Sequence, residues 1–384
     1  MDRKAMLLGS VRRLLQPTEV CVGRGCMGRL AALDGRKALV AAARSAEKSG
    51  ALATVTTALA KAGVETAVWQ GDSLEPTPQR VSEIAARATE HEPDWIVALG
   101  GGAIIDAAKL AWACYAIPSL DLNVEKPAAL VDLRRKARFI AIPTTAGAGS
   151  EASQVAVLSD EASGRKVPWV SPHLIPDVVI LDPASTTTLT AELTAVTGLD
   201  ALAHAIEAYA SRLATPLVKT LASASIRAIM RHLPEACQNP TNLESRQGML
   251  DAAYLAGLCQ STASTGLAHA VAHSAAWVLK AHHAPALAVF LLPTVKYNAA
   301  QGAAAHQSMA LDLGFPGVDP MLEAFERWMA DLPIPRSWQA LAGREPTAEQ
   351  LAELVAGAMA DICLRTNPAR PSEVDLQAIF EGVR

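Results

Sequence analysis

The sequence has 384 residues, of which 51% are hydrophobic and only 4% are aromatic. Because single hydrophobic cores stop growing at roughly 250–300 residues, a chain of this length is expected to form two domains. The 34 Lys and Arg residues are outnumbered by 38 Asp and Glu residues, which gives a formal net charge of −4. This balance leaves no positive surplus for phosphate backbones or anionic lipid, so nucleic acid and membrane are not expected partners.

The first half of the chain alternates short β-branched runs with longer helical patterns. This alternation is typical of a parallel sheet covered by helices. The runs at 19–22, 38–41, 66–69, 95–99 and 139–142 predict strands, and the patterns at 46–63, 81–90 and 103–115 predict helices.

The sequence pattern changes after residue 182, where the chain continues in long segments rich in Ala, Leu and His. The segments 191–211, 217–232 and 264–280 predict helices. A Pro followed by small hydroxylated residues makes a plausible hinge near residue 185. We therefore expect an α/β domain over residues 1–185 and an all-helical domain over residues 186–384.

The cysteines and the first residues indicate a cellular compartment. No two of the six cysteines form a CxxC pair, and the first residues contain no apolar segment long enough for a signal peptide. We expect reduced core cysteines in a cytoplasmic protein.

A glycine loop follows the predicted strand 95–99. Gly100, Gly101 and Gly102 lead directly into a predicted helix. Backbone without Cβ atoms at a helix N-terminus can approach a phosphate closely, and the helix dipole favours its charge. A tight turn that requires positive φ is the alternative interpretation.

A second loop of small and hydroxylated residues, at 143–151, follows the strand 139–142. Open α/β sheets bind ligands at the carboxyl ends of their strands, so the two loops together predict one nucleotide site. Neither loop matches GxGxxG or GxxxxGK[ST], which disfavours an ordinary Rossmann fingerprint and a P-loop NTPase.

A group of polar residues occurs in the helical half. Asp200 and His204 are four residues apart, as are His269 and His273, and each pair shares one face of a predicted helix. Unpaired polar groups among Ala, Leu and Val would be costly to bury. A divalent metal site explains the pattern better than isolated core histidines, and the N/O ligands suit Fe(II), Zn(II), Mn(II), Co(II) or Ni(II).

These loops and the histidine group together resemble the iron-containing (group III) alcohol dehydrogenase family along nearly the whole chain. The family motif GGGS-xx-D is matched at 100–106, PTTAGTGSE at 143–151, TG-x-DAL-x-HAIEAY at 197–209 and TNPRP at 366–371. The resemblance implies an α/β plus all-α fold, shared with dehydroquinate synthase-like enzymes. In it, a dinucleotide-binding parallel-sheet domain precedes an all-helical domain that binds the metal and the substrate.

The resemblance also implies roles for individual residues. Lys166 matches a family lysine near the nicotinamide ribose, and His273 matches a proton-handling residue. The implied metal ligands are Asp200, His204, His269 and His283, with His282 as the alternative last ligand. The implied cofactor-binding residues in the two loops are Gly100, Gly101, Gly102, Ala103, Asp106, Thr144, Thr145, Gly149 and Ser150. Near the expected substrate pocket, Trp277 and Thr294 depart from the family pattern.

The cofactor preference is predicted from the end of the second strand. Many NAD-using members of the family resemble one another in having an acidic residue that binds the adenosine ribose there, whereas this chain has Ala43 followed by Arg44. Without a carboxylate and with a guanidinium, such a site can accept the extra phosphate of NADP. We therefore expect NADP rather than NAD as the cofactor. The alternative is that Arg44 is a solvated loop residue.

The resulting hypothesis is a metal-dependent, NAD(P)-linked alcohol dehydrogenase or aldehyde reductase. A hydride would pass reversibly between nicotinamide C4 and the carbonyl carbon of a small aldehyde or ketone, whose oxygen Fe(II) or Zn(II) polarises. The family suggests a homodimer. The alternatives are a dehydroquinate synthase-like or polyol-phosphate-type enzyme and a non-catalytic protein that binds metal and nucleotide.

Overall fold

The computed structural model describes residues 13–72, 75–122, 130–160, 165–302 and 304–383. Within these ranges, the strands are β1 (Glu19–Val22), β2 (Lys37–Ala43), β3 (Glu65–Gly71), β4 (Trp95–Gly100), β5 (Arg138–Pro143), β6 (Val155–Asp160), β7 (Arg165–Val170) and β8 (Val178–Leu181). The helices of the first half are α1 (Arg44–Lys48), α2 (Ala51–Lys61), α3 (Pro78–His91) and α4 (Gly102–Ala116).

The second half is helical. Its helices are α5 (Ala191–Ala210), α6 (Pro216–Gln238), α7 (Leu243–Ala263), α8 (Leu267–Val278), α9 (His283–Ala300), α10 (Ala304–Asp312), α11 (Val318–Ala330), α12 (Trp338–Ala342), α13 (Ala348–Ala360) and α14 (Glu373–Glu381). Short 3-10 helices occur at Cys26–Ala32, Leu133–Arg135, Pro172–Leu174, Pro183–Thr186 and Ile362–Arg365. The fold class expected from the sequence, a parallel-sheet part followed by an all-helical part, is confirmed.

Six strands form one parallel sheet in the order β1-β8-β5-β4-β2-β3. From β2, the chain continues to β3 at one edge of the sheet, whereas from β4 it continues to β5 in the opposite direction. The direction in which strands are added therefore reverses between β2 and β4. In open α/β sheets, this reversal leaves a crevice at the carboxyl ends of the strands. Gly100 at the end of β4 pairs with Pro143 at the end of β5, which sets the two predicted nucleotide loops side by side.

All five predicted strands are present, but the sequence analysis missed β6, β7 and β8. The single helix predicted at 46–63 is wrong. Gly50 has φ +77° and separates α1 from α2. A left-handed residue cannot continue a right-handed helix, and glycine adopts that conformation at little cost.

The sheet is buried on both faces, and successive residues of each strand alternate between two apolar cores. Val97 and Ile140 belong to the core shared with α2 and the first 3-10 helix. Ile96 and Phe139 belong to the larger core, which continues into the helical half through α5, α7 and α9. The two halves are therefore packed together along one face of the sheet.

The loop after β5 touches the helical half at a point where only glycine fits. Gly149 has φ +65°, and a Cβ atom built on it would lie 2.4 Å from Cα of Gly257 in α7. Nearby, the Gln154 backbone N–H donates to Ser261 Oγ at 3.0 Å. The loop after β5 is thus held directly against the second half of the chain.

Among the described residues, no helix is both long and apolar enough to span a bilayer.

Candidate active site

The two glycine-containing loops form one surface at the carboxyl edge of the sheet. The Thr144 backbone N–H donates to Gly100 O at 3.0 Å, and a Cβ atom on Gly101 would lie 3.2 Å from Thr145 Oγ1. Helix α4 begins at Gly102, and its N-cap residue Gly101 makes no side-chain cap hydrogen bond. The first N–H groups of α4 therefore face a crevice without a capping side chain, as a phosphate site requires.

Asp106 lies one turn into α4, beneath this surface. Its carboxylate is buried and accepts a hydrogen bond from the Val157 backbone N–H at 3.0 Å. Burial raises the pKa of Asp106, although Lys109 and a hydrogen bond with Ser150 act in the opposite direction. Asp106 thus joins α4, the second loop and β6, while Ala103 is half-buried closer to the start of the helix.

The end of β2 lies on the other side of the crevice. Ala43 is buried and pairs with Gly71, and Arg44 opens α1. The guanidinium of Arg44 is exposed and lies 3.4 Å from Asp72 Oδ1, beyond the end of β3. A carboxylate is therefore present near this end of the crevice, but it follows β3 rather than β2 and already pairs with the arginine.

The structure brings the four predicted metal ligands together. Asp200 and His204 lie on α5, His269 lies in the first turn of α8, and His283 is the first residue of α9. The Nε2 atoms of His204 and His269 are 3.0 Å apart, and His269 Nε2 is 3.7 Å from Asp200 Oδ1. Ligand atoms of Asp200, His269 and His283 all lie within 4.8 Å of one another.

The donor atoms of this cluster fit a cation. Asp200 Oδ1, His204 Nδ1 and His283 Nδ1 are buried and find no hydrogen-bond partner within the described part of the chain. Unpaired buried acceptors are costly. Two imidazole nitrogens facing each other at 3.0 Å, with a carboxylate beside them, form the N/O donor set that first-row divalent metals prefer.

The electrostatics of two of the three histidines agree with this interpretation, whereas the carboxylates of Glu207 and Asp200 outweigh burial and raise the pKa of His269 to about 10. Burial lowers the pKa of His204 to about 4, which keeps the ring neutral and its lone pair available. Burial opposes the charge of Asp200, but the neighbouring His204 and His269 rings outweigh it and hold the pKa of Asp200 well below its usual range. Burial and the positive charge of Lys166 lower the pKa of His283. The cluster therefore offers one carboxylate and at least two neutral imidazoles.

His273 lies one turn beyond His269 on α8. Its ring stacks on that of His283 at a centroid distance of 5.0 Å, and its Nδ1 lies 2.9 Å from Asp361 Oδ2. The imidazole is about a quarter exposed, so it lies between the buried cluster and solvent.

Lys166 on β7 connects the two sides of the crevice. Its Nζ lies 3.2 Å from Glu75 Oε2, and the same carboxylate oxygen accepts a hydrogen bond from Ser159 Oγ at 2.6 Å. Because the charge of Lys166 also lowers the pKa of His283, the ammonium group lies close enough to the histidine cluster to affect it.

Comparison with known proteins agrees with this architecture. A model of the iron-containing alcohol dehydrogenase family matches residues 17–183, and a model of the C-terminal part of the same family matches residues 194–383. The chain belongs to the iron-containing alcohol dehydrogenase family.

Individual relatives cover nearly the whole chain. An NADPH-dependent butanol dehydrogenase of Clostridium saccharobutylicum is 31% identical over 97% of this chain and 97% of its own length. An NAD-dependent methanol dehydrogenase of Bacillus methanolicus is 29% identical over 95% of this chain and 98% of its own. The solved structure of an iron-containing alcohol dehydrogenase from Thermococcus thioreducens superposes with a TM-score of 0.88 at 30% identity, over 96% of this chain and 99% of that one.

Membership of the iron-containing alcohol dehydrogenase family confirms the predicted class of activity. The protein is an oxidoreductase of the NAD(P)-linked alcohol dehydrogenase type. The dehydroquinate synthase-like and non-catalytic alternatives are not favoured.

Sequence reasoning missed a residue that holds one of the histidines of this alcohol dehydrogenase. Glu207 on α5 is buried, and its Oε2 lies 2.5 Å from His269 Nδ1. Its Oε1 accepts hydrogen bonds from the backbone N–H groups of Ala268 and His269, at 2.6 and 3.3 Å. One carboxylate therefore both caps the start of α8 and orients the His269 ring, the usual arrangement behind a metal-bound imidazole.

The residues that depart from the family pattern occupy different environments. His282, the alternative ligand, is exposed next to the buried cluster. Trp277 is 44% exposed, and Lys280 Nζ lies 3.7 Å from its ring centroid. Thr294 is buried, and its hydroxyl donates to the carbonyls of Phe290 and Leu291 within its own helix. Trp277 follows His273 by one turn of α8, which leaves it as the candidate for shaping the outer pocket.

Proposed function

We propose that this chain interconverts a small aldehyde or ketone and its alcohol, with NADP(H) preferred. We further propose a divalent metal, Fe(II) or Zn(II), held by Asp200, His204, His269 and His283. One observation carries the proposal: buried ligand atoms without hydrogen-bond partners among the described residues converge between α5, α8 and α9, where His204 meets the backbone of the second glycine-containing loop at Gly147.

When bound, the metal would supply Lewis-acid polarisation of the carbonyl oxygen, and the nicotinamide would supply or accept the hydride. The chain's own residues prepare the site for both. Burial keeps His204 neutral, and Glu207 fixes the ring of His269 by accepting from its Nδ1. Because these partners are already in place, binding requires little rearrangement of the ligand side chains.

His273 handles the proton in this proposal. Its Nδ1 donates to Asp361, which selects the tautomer whose Nε2 can give or take a proton. The ring lies between the buried cluster and solvent, where a proton must travel as alcohol and carbonyl interconvert. Asp361 remains ionised for this task, because the hydrogen bond from His273 outweighs burial and lowers the pKa of the carboxyl group to about 2.

The cofactor is assigned to the two glycine-containing loops. Gly100, Gly101 and Gly102, with the start of α4, would bind the pyrophosphate, and Lys166 would contact the nicotinamide ribose. Ala43 offers no carboxylate to the adenosine ribose, and Arg44 offers an exposed guanidinium to a 2′-phosphate. The NADPH dependence named for the butanol dehydrogenase supports this preference, whereas the NAD-dependent methanol dehydrogenase shows that the family uses both cofactors.

Three further assignments belong to the same proposal. Residues 1–185 would be the NAD(P)-binding domain, and residues 186–384 would be the metal-binding and substrate domain. The protein would be a cytoplasmic homodimer.

The metal site is tested by His204→Ala with His282→Ala as the matched control, because one ring is buried in the cluster and the other is exposed beside it. Metal content after dialysis and turnover with a panel of small aldehydes are measured for both variants. His204→Ala is expected to lose both, while His282→Ala retains both. Full metal content and full turnover in His204→Ala would contradict the assignment.

The cofactor preference is tested by Ala43→Asp, which restores a carboxylate at the end of β2. The ratio of kcat/KM for NADPH to that for NADH is expected to fall at least about tenfold, because the carboxylate repels a 2′-phosphate and can bind the ribose hydroxyl. An unchanged ratio would show that this end of the crevice does not contact the adenosine ribose.

A further inference from the structure

A second group of metal-ligating side chains lies beside the first and shares no residue with it. His273, Asp361 and Cys363 each offer one ligand atom, and these atoms all lie within 4.8 Å of one another. His273 comes from α8, whereas Asp361 is the N-cap and Cys363 the second residue of the short 3-10 helix Ile362–Arg365 that packs against α8. Three different donor types therefore meet at one point, and His273 lies 88 residues from Asp361 in the sequence.

Hydrogen bonds already orient these donors. The Cys363 backbone N–H donates to Asp361 Oδ1 at 2.8 Å, which leaves Oδ2 directed to His273 Nδ1 at 2.9 Å. The hydroxyl of Thr265 donates to Cys363 Sγ at 3.1 Å. The hydroxyl proton directed at sulfur favours a thiolate, but burial and the charge of Asp361 outweigh it and raise the pKa of Cys363 well above its usual range, so the thiol keeps its proton until a metal displaces it.

We propose that His273, Asp361 and Cys363 form an additional site for Zn²⁺ or a similar borderline-soft divalent cation. Zinc takes thiolate, imidazole and carboxylate together, with bonds of about 2.0–2.3 Å. On binding, the S–H bond of Cys363 breaks and its proton passes to solvent, the His273 ring takes the tautomer with its proton on Nε2 so that the Nδ1 lone pair is free, and sulfur–metal and nitrogen–metal bonds form. The three side chains would leave a fourth position for water.

The position of the site gives it a consequence. The side chains of His273 and Asp361 are 24% and 15% exposed, so the group is reached from the side of the crevice while Cys363 closes its inner wall. A cation bound here would engage the imidazole that the proposed function uses for proton transfer. Metal in excess would therefore act on the enzyme through a different site from the metal required for activity.

Cobalt(II) distinguishes the two sites, because the Asp200, His204, His269 and His283 set contains no sulfur. Full-length protein is titrated with Co²⁺ and followed by near-ultraviolet absorption, where thiolate-to-cobalt charge transfer appears. The wild type is expected to develop this band, and Cys363→Ser is expected to lose it. Cys237→Ser is the matched control, since Cys237 is also buried but belongs to no such ligand group within the described residues.

The absence of the band in the wild type, or its persistence at full intensity in Cys363→Ser, would overturn the proposal. If Cys363→Ser does not fold by circular dichroism, Asp361→Asn replaces it. The thiol is then intact, and the Co²⁺ concentration that half-saturates the band is expected to rise at least about tenfold; an unchanged value would overturn the proposal. Turnover is not measured, so failure of the dehydrogenase mechanism and failure of this site give distinguishable results.

Discussion

The contact between Gly149 and Gly257 makes a sharp prediction for Gly149→Ala. The added Cβ would lie 2.4 Å from Gly257 Cα and 3.0 Å from Gly257 N, and both are backbone atoms that cannot rotate away. Residue 149 also has φ +65°, where an L side chain is strained. The variant therefore forces the nucleotide loop away from α7.

Two contributions determine the magnitude. The left-handed backbone costs a non-glycine residue about 1–2 kcal/mol. Overpacking against a rigid neighbour costs about 1–3 kcal/mol more, because the carbon–carbon distance is far below the optimal ~3.5–4.0 Å. Gly149→Ala is expected to lower the free energy of unfolding by about 2–5 kcal/mol.

Gly343→Ala separates the two contributions. Gly343 has φ +72°, and a Cβ atom built there meets nothing within 4 Å, so this variant incurs only the backbone cost. Both variants are compared with the wild type by urea unfolding, with the slope m checked for constancy. Gly149→Ala should be less stable than Gly343→Ala by about 1–3 kcal/mol. A difference below about 0.5 kcal/mol would refute the inferred contact between the loop and α7.

Three further predictions concern buried charge, acidity and metal. Lys109→Met should lower the free energy of unfolding by about 2–4 kcal/mol in urea unfolding, because Lys109 is fully buried and donates to two backbone carbonyls. The control Lys296→Met removes a half-exposed ion pair and should lower it by less than about 1 kcal/mol. Equal losses in the two variants would show that burial of Lys109 does not stabilise the fold. Burial lowers the pKa of His306 from 6.5 to about 4, so between these pH values the unfolded chain takes up a proton that the folded chain excludes, and stability falls as the pH falls. Between pH 7.5 and pH 5, the free energy of unfolding of His306→Leu should therefore fall by about 2 kcal/mol less than that of the wild type. Identical losses would show that the His306 ring is not protected from protonation. In Cys363→Ser, which removes the sulfur ligand of the second site, Zn²⁺ at about one hundred times its Kd should raise the free energy of unfolding by about 2.7 kcal/mol, and far less when His204→Ala is added. An equal rise in the two proteins would place the ion elsewhere.

The parts of the fold that sequence predicted are those in which burial leaves a local pattern. Residues 95–99 form an uninterrupted apolar run because β4 is covered on both faces. The i, i+4 spacing of Asp200 and His204 put both on one face of α5, where the structure has them. By contrast, β8 is only four residues long, and nothing in its sequence shows that it pairs between β1 and β5.

The parts of the site that sequence missed depend on contacts between distant segments. Asp361 meets His273 across 88 residues of chain, a separation over which no periodicity extends. Glu207 could have been found, because it follows His204 by three residues and shares its helical face. A glutamate in a helix is usually solvated, however, and only the packing of the start of α8 against Glu207 identifies His269 as its partner.

The carboxylate of Glu207 connects the folding of α8 with the geometry of His269, a proposed metal ligand. Because one group binds the first backbone amides of the helix and the ring of the histidine, the ring is oriented as soon as the helix begins. An ion can then leave or enter without the helix having to re-form. Exchange between divalent ions with similar affinity for nitrogen and oxygen ligands should therefore be governed by the relative amounts of those ions in the cell. The same polypeptide would then acquire different metals in different hosts and growth media.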